Sequence, residues 1–410
     1  MKIVFENLEE RRNFINCKDI NKSTISRFAP APILNHFKID YWKEIENSDK
    51  DYIIMSGINH CPEDWTGYES YSRVDPVFNY LSPKYLKDLQ NDNALLLLDQ
   101  SLEGYHRTWI FDFFHKQCEQ FSINPQNIIY LTGNLDVEKD YNKWLESNPQ
   151  INRLNVYGYA HFERDMYNLR RDNNIDTATK TNIKYKRKNP IKIYNCLNKR
   201  DRNHRAWFYT KLYQADLLKD GLVSMNTFTN SHIMDGKGLD QQLIEEVNTT
   251  LPCWIDEPND ILDDGYYIRR IRHDVCLDTY VSVISEAHFA DESNTLFLSE
   301  KTFKVIASRH PFIILGNKNS LAKLRELGYK TFDGFIDESY DTLPSHERMD
   351  AIINALHKIK NIKNLNTWYK DMQPILNHNY NTLKNRSIRK NGVVAKVEKI
   401  FYNKFGDKNV

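Results

Sequence analysis

The sequence predicts an α/β fold built on parallel sheets, and three observations predict it. Short apolar runs at 51–56, 93–98, 127–131 and 312–315 have the length and evenness of strands buried on both faces. Amphipathic stretches at 108–121, 137–147 and 206–219 read as the helices that accompany them. The strands give way to glycine or polar turns, at Gly57, Asp99, Gly133 and Gly316. Strand and helix in alternation favour a parallel sheet with helices on both faces.

The elements follow in order. The first forty residues are polar and irregular, with Pro30 and Pro32 set against long helices. The first convincing buried strand is 51–56, and the polar loop after Gly57 carries His60 and Trp65. A helix within 74–89 leads to strand 93–98, and the loop 99–107 opens the aromatic helix 108–121. Pro125 precedes strand 127–131, and a helix at 137–147 with a short strand at 153–158 completes a first unit. Residues 167–190 are polar and basic, with Arg170, Arg171, Lys184, Lys186, Arg187 and Lys188, a composition that suits an interdomain linker. The second unit runs through strand 191–197, helix 206–219 and strand 222–225, a less regular stretch at 227–275, and strand 280–284. A helix opening at Ser299, strand 312–315 and helix 320–328 extend it. Amphipathic stretches at 347–359 and 365–383 and a basic helix after 386 end the chain. The expected domains are 1–166, a linker 167–190, 191–362, and C-terminal helices over 363–410.

Composition narrows the function. The 410 residues allow about two or three domains. With 40% hydrophobic residues there is ample material for cores, and no apolar run approaches the ~20 residues of a membrane span. Met1-Lys-Ile-Val-Phe passes at once into a charged mixture, so the expectation is a cytoplasmic protein with no membrane insertion. The six cysteines are scattered, against both a disulfide framework and a Cys-rich zinc site. A net charge of +1 leaves no whole-protein field for a polyanion. Neither Gly-x-Gly-x-x-Gly nor a P-loop is present, which argues against a dinucleotide oxidoreductase and a P-loop kinase.

The most informative stretch is 296–316. Ser299 is placed to cap a helix with apolar Phe303, Ile306 and Ala307, and Pro311 ends it before an apolar strand. Charge gathers on the first turn at Glu300, Lys301 and Lys304. An open helix start favours a phosphate, and Lys301 adds a formal charge. Glu300 is suited to accept hydrogen bonds from a ribose diol.

Ser-Glu-Lys-Thr-Phe-Lys, then a small-residue turn and an apolar strand ending in Gly, resembles the donor-binding segment of nucleotide-sugar glycosyltransferases of the GT-B type. The nearest likeness is the fucosyltransferase type, whose Ser-Glu-Lys-Leu-Trp motif uses Glu on the ribose and Lys on the diphosphate. That carry-over reaches Glu300 and Lys301. The run from Leu321 to Tyr340 is similar to uncharacterised bacteriophage glycosyltransferases. The resemblance covers roughly the last half of the chain. It implies an α/β fold of two facing Rossmann-like domains with a cleft between them. It also implies last helices packed back on the first domain, and Glu286 close to the base or sugar.

The loop after 191–197 adds Lys199, Arg200, Arg202, His204 and Arg205, at a strand end where doubly wound sheets collect ligands. Arg pairs bidentately with phosphate oxygens. The expected donor set is therefore Lys199, Arg202, Arg205, Glu286, Ser299, Glu300, Lys301 and Lys304, with Lys301 and Arg205 foremost. Fixed cations and a helix start stabilise a leaving diphosphate without a metal. No metal site and no cofactor beyond the nucleoside diphosphate sugar are expected, Asp256 and Asp260 being weak candidates for an ion. A base for the acceptor proton is sought among Glu103, Asp99, His106 and His60, with Glu103 first. The acceptors expected are a hydroxymethylated base in double-stranded phage DNA or, in its place, a surface glycan or lipid-linked sugar. A different class, a non-catalytic nucleic-acid binder using 167–205 and 379–403, predicts salt-sensitive binding instead.

Overall fold

In the computed structural model, the residues described are 2–5, 51–57, 78, 81–101, 104, 109–163, 166, 190–199, 202–228, 241–255, 272–289, 295–385 and 392–406. The chain forms two compact α/β units. The first comprises 1–164, 292–297 and 387–410, and the second 165–291 and 298–386. The first unit carries β1 (Lys2–Phe5), β2 (Tyr52–Gly57), α1 (Pro83–Gln90), β3 (Ala94–Gln100), α2 (Ile110–Gln120), β4 (Ile128–Thr132), α3 (Val137–Glu146) and β5 (Asn155–Gly158). The second carries β6 (Lys192–Leu197), α4 (Asn203–Gln214), β7 (Gly221–Ser224), α5 (Gln241–Asn248), α6 (His273–Leu277), β8 (Thr279–Ser285), α7 (Glu300–Ala307) and β9 (Phe312–Leu315). It continues through α8 (Ser320–Glu326), α9 (Ser345–Lys360), α10 (Leu365–Asp371) and α11 (Gln373–Asn385). The chain then returns to the first unit with α12 (Val393–Phe405).

In the first unit the strands lie in chain order, β1-β2-β3-β4-β5, all parallel, with Tyr52 opposite Ala94 and Leu96 opposite Ile128. An order that never reverses sends right-handed crossovers to one face. On that face Leu89, Phe111, Phe114 and Tyr141 bury with Leu96 and Leu98. The other face is covered by α12, whose Val393, Val394, Val397, Phe401 and Phe405 pack on Ile53, Leu95, Leu97, Ile129 and Leu131. Every residue of β3 is buried, which is why it reads as a continuous apolar run. Helices on both faces are thus present, the second face being supplied by the end of the chain.

The second unit has the order β7-β6-β8-β9, also all parallel. From β6 the chain moves one way to β7, and from β8 it moves the other way to β9. The reversal lies between β6 and β8, the place where open α/β sheets bind ligands beyond their carboxyl ends. By the same handedness α4 and α7 lie on opposite faces. A buried polar ladder crosses this centre: Asn195 Nδ2 donates to Thr279 Oγ1 at 2.7 Å and to Ser282 Oγ at 3.0 Å, and Ser282 Oγ meets His310 Nδ1 at 3.0 Å.

Several elements differ from their sequence reading. β1 falls in the stretch read as irregular; four residues are too few to show a period, and the ladder to β2 holds them. The stretch 365–383 is two helices that break at Met372. The helix expected at 206–219 begins at Asn203 and ends at Gln214, and Asp216, with φ 53°, stops it. The basic segment 167–189 lies outside the described residues. No helix among the described residues is long and apolar enough to cross a membrane.

Candidate functional site

The carboxyl edge of the second sheet is organised around residues 285–287. Helix α7 starts where the sequence places it: Ser299 is extended, with φ −86° and ψ −178°, and its Oγ accepts from the Lys301 N–H at 3.3 Å. Phe303, Ile306 and Ala307 bury its apolar side. The Glu286 carboxylate, fully buried, accepts from the Ser299 N–H at 3.1 Å, from Thr302 Oγ1 at 2.6 Å and from the Ala287 N–H at 3.3 Å. This carboxylate ties the end of β8 to the start of α7.

The first turn of α4 grips the same residues through their carbonyls. His204 Nε2 donates to Glu286 O at 3.0 Å, and Arg205 Nη2 lies 3.3 Å from both Ser285 O and Glu286 O. Arg202 Nη1 donates to Ala287 O. The cationic loop after β6 and the helix start at Ser299 therefore meet within the second unit, on either side of Glu286. Gly316, at the end of β9, keeps this packing possible: a Cβ there would lie 2.9 Å from Ile314 Cγ2 and 3.2 Å from Glu286 Cβ. Arg348 of α9, only 1% exposed, donates to Gly316 O at 2.6 Å, with its guanidinium 4.7 Å from the Phe289 ring centroid.

Charge is distributed unevenly across this edge. Lys301 Nζ lies 3.1 Å from Ser299 Oγ and 3.3 Å from Glu300 Oε1, with its side chain 30% exposed. Burial pushes the Glu300 carboxyl up, but Lys301 and Lys304 together outweigh it and hold the group below the ordinary carboxylate range. Burial, with Arg202 beside it, pulls Arg205 down to about 10, still cationic at neutral pH. Burial together with Arg202 and Lys301 pulls His288 down to about 4, and burial with Arg205 pulls His204 well below its ordinary value. Both imidazoles are therefore neutral donors or acceptors at neutral pH.

Of the donor residues named from sequence, Arg202, Arg205, Glu286, Ser299, Glu300 and Lys301 lie on these two helix starts or the β8 end between them, whereas Lys304, expected on the first turn, falls in the last turn of the short helix α7. Arg205 and Glu286 face inward and hold the loops. Lys301 and Lys304 are half-buried, and Lys199 is exposed in the β6–α4 loop. Sequence reasoning passed over Thr302, His288 and Arg348. An arginine beside Met349 and Ile352 on an apolar helix face was the available signal for the last.

In the first unit Asp99 stands near the end of the central strand β3, 3% exposed. Its Oδ1 accepts from the Ser101 N–H at 2.9 Å, and the Ser101 side chain also bonds to the carboxylate. Burial raises the carboxyl to about 6. Glu103, His106 and His60 lie outside the described residues, as do Asp256 and Asp260. Among the described residues no group of three or more His, Cys, Asp or Glu is arranged to hold a metal.

No protein-family model matches the chain, and no curated protein does. Among solved structures, an alpha,alpha-trehalose-phosphate synthase (UDP-forming) from Burkholderia vietnamiensis is similar at 9% identity and a TM-score of 0.40, over 87% of this chain and 75% of that one. A UDP-GlcNAc 2-epimerase from Neisseria meningitidis bound to UDP-GlcNAc is similar at 10% identity and 0.36, over 97% and 100%. A Candida albicans trehalose-6-phosphate phosphatase N-terminal domain is similar at 9% identity and 0.42, over 98% and 96%. Likeness at this level carries no argument about chemistry, which rests on the residues above.

Proposed function

We propose that this protein is a nucleotide-sugar-dependent glycosyltransferase that moves a sugar from a nucleoside diphosphate to an acceptor hydroxyl. The observation that carries the reading is the convergence of two helix starts, one flanked by Arg202 and Arg205 and the other by Lys301, on the β8 end at the topological reversal. Helix starts and fixed cations at such a position stabilise a diphosphate. Lys301 and Arg202 hold its oxygens, with Lys304 adding positive charge from further along α7. Glu300, kept ionised, accepts from the ribose hydroxyls, as the likeness to the Ser-Glu-Lys motif suggests. Arg205 and Glu286 are positioning residues, since their polar atoms are engaged with the loops.

In the step itself the acceptor oxygen bonds to the anomeric carbon. The bond to the diphosphate oxygen breaks with its electron pair, and the acceptor proton passes to a base. Negative charge then grows on the leaving diphosphate, where fixed cations lower the barrier without a metal. Asp99 supports the base role: a carboxyl near 6 is ionised at neutral pH yet basic enough to take a proton.

A panel of UDP-, GDP-, ADP- and TDP-sugars followed by thermal denaturation tests the donor reading. One nucleotide family is expected to raise Tm by several degrees, with the rise lost in Lys301→Ala and reduced in Glu300→Ala. A panel that moves Tm for no member, or moves it equally in both variants, refutes the donor site.

A further inference from the structure

Helix α9 buries an apolar side made of Met349, Ile352, Ile353, Leu356 and Ile359, and Arg348 is buried with them. A guanidinium keeps its charge at every working pH, and taking that charge out of water is costly unless its donors are engaged. A buried arginine is therefore explained by what its fork holds. The donor chemistry described above gives Arg348 no part.

Two parts of the carboxyl edge meet at this fork. Arg348 Nη1 donates to Gly316 O at 2.6 Å and lies 3.5 Å from Phe289 O, while the guanidinium stands 4.7 Å from the Phe289 ring centroid. The other contacts of that ring are with α4. It stacks on His204, with centroids 5.6 Å apart and planes 18° apart, and meets Trp207 edge to face at 6.4 Å. His346, two residues before Arg348, closes on Trp207 at 4.6 Å. Gly316 in turn backs onto Glu286, whose N–H donates to the preceding residue, Leu315 O, at 2.9 Å. Arg348 thus holds the segment 286–289 at both ends, at Phe289 directly and at Glu286 through the end of β9. The carbonyls within that segment, Glu286 O and Ala287 O, are the ones on which His204 and Arg202 dock.

We infer that Arg348 is a positioning residue for the diphosphate: it fixes the segment 286–289, and that segment aims Arg202. The inference rests on the glycosyltransferase reading above. Arg202 is anchored on Ala287 O, so a shift of the segment moves the anchor and turns the guanidinium away from the phosphate oxygens. Charge-assisted hydrogen bonds are strong but weaken steeply when misaligned. The effect of Arg348 passes through Phe289 and Gly316, with no contact of its own to the ligand. Lysine replaces it only in part, since an ammonium lacks the planar fork that bonds a carbonyl while lying over an aromatic ring.

The test measures binding of UDP, GDP, ADP and TDP to the full-length protein by calorimetry, then follows the tightest of them in variants at a temperature well below each Tm. Arg348→Met is expected to weaken binding about tenfold. Arg348→Lys keeps a cation and a donor, and is expected to fold with a Tm near that of the unmodified protein and to weaken binding about threefold. It carries the same comparison if Arg348→Met does not fold. Met349→Ala opens a cavity beside Arg348 on the same helix; it is expected to lower Tm and to leave the dissociation constant unchanged, which separates positioning from loss of fold. Arg202→Ala weakens binding by itself, and adding either Arg348 variant is expected to weaken it little further, because both act on one contact. Unchanged affinity in the Arg348 variants, losses that multiply with Arg202→Ala, or an equal loss in Met349→Ala overturns the inference and leaves the donor site standing. An unmodified protein that binds none of the four overturns the inference and the glycosyltransferase reading together.

Discussion

Asp99 shows what a single residue reveals in sequence and what it withholds. Its place at the end of an apolar run marks it as a strand-end carboxylate, but nothing in the neighbouring residues announces that the carboxylate is almost fully buried. Burial depends on contacts made across a long sequence separation, of the kind that the strap of residues 295 to 297 makes just beyond β4. The consequence is testable by pH. A carboxyl whose folded value is raised from 3.8 to about 6 favours the neutral form in the fold, so stability falls as pH rises through that interval and stays lowered above it. Asp99→Asn, which mimics the neutral acid, is expected to match the unmodified protein near pH 4. Above pH 6 it is expected to be the more stable, on the order of 3 kcal/mol by denaturant titration. Transfer activity in the unmodified protein should fall as pH drops through 6. A stability difference that does not change between pH 4 and 7 contradicts the assignment. Glu300 and Lys301, by contrast, were legible because a capping serine and a charged first turn are local signals, and the structure places both on that turn.

At the level of elements, strands and helices were read from periodicity wherever they were long enough to have one. β1 was too short, and the break at Met372, which Pro374 in the first turn of the next helix marks, was passed over in favour of the continuous apolar pattern. The strap is the element that local reading missed entirely, because Leu296 and Phe297 look like the lead-in to α7 and serve the first unit instead. Its packing predicts the effect of Gly104→Ala. With Phe297 already at the position a methyl group would take, the chain must shift. The variant is expected to lose about 1–3 kcal/mol of stability in urea titration, the usual range for overpacking. No loss would show that the strap is not seated on Gly104. In the second unit, the two segments expected to bind phosphate lie at the starts of α4 and α7. Arg205 is expected on the diphosphate from its charge and Glu286 near the base or sugar from the resemblance, and in the structure their polar atoms join α4 and α7 to the end of β8.

Across the whole molecule, alternation announced two parallel-sheet units, while the strand orders could not be read from it. An ordered progression in the first sheet and a reversal in the second arise from which strands pair, and near-identical apolar runs do not encode their neighbours. The end of the chain illustrates this, since α11 belongs to the second unit and α12 covers the open face of the first sheet. Burial of five apolar side chains by α12 is worth roughly 8–15 kcal/mol. That is comparable to the ~5–15 kcal/mol total stability of a domain. Ending the chain after Asn385 is therefore expected to leave the first unit unfolded or aggregated, seen as loss of its cooperative melting transition; a truncated protein that melts like the full chain would contradict the packing.

The most direct test of the donor site is phosphorus NMR of a nucleoside diphosphate titrated with the full-length protein and with Lys301→Met. If the diphosphate sits at the start of α7, both phosphorus resonances shift and broaden with the unmodified protein, and the effect disappears in the variant. Resonances that shift equally with both proteins, or that no nucleoside diphosphate shows shifting at all, would contradict it.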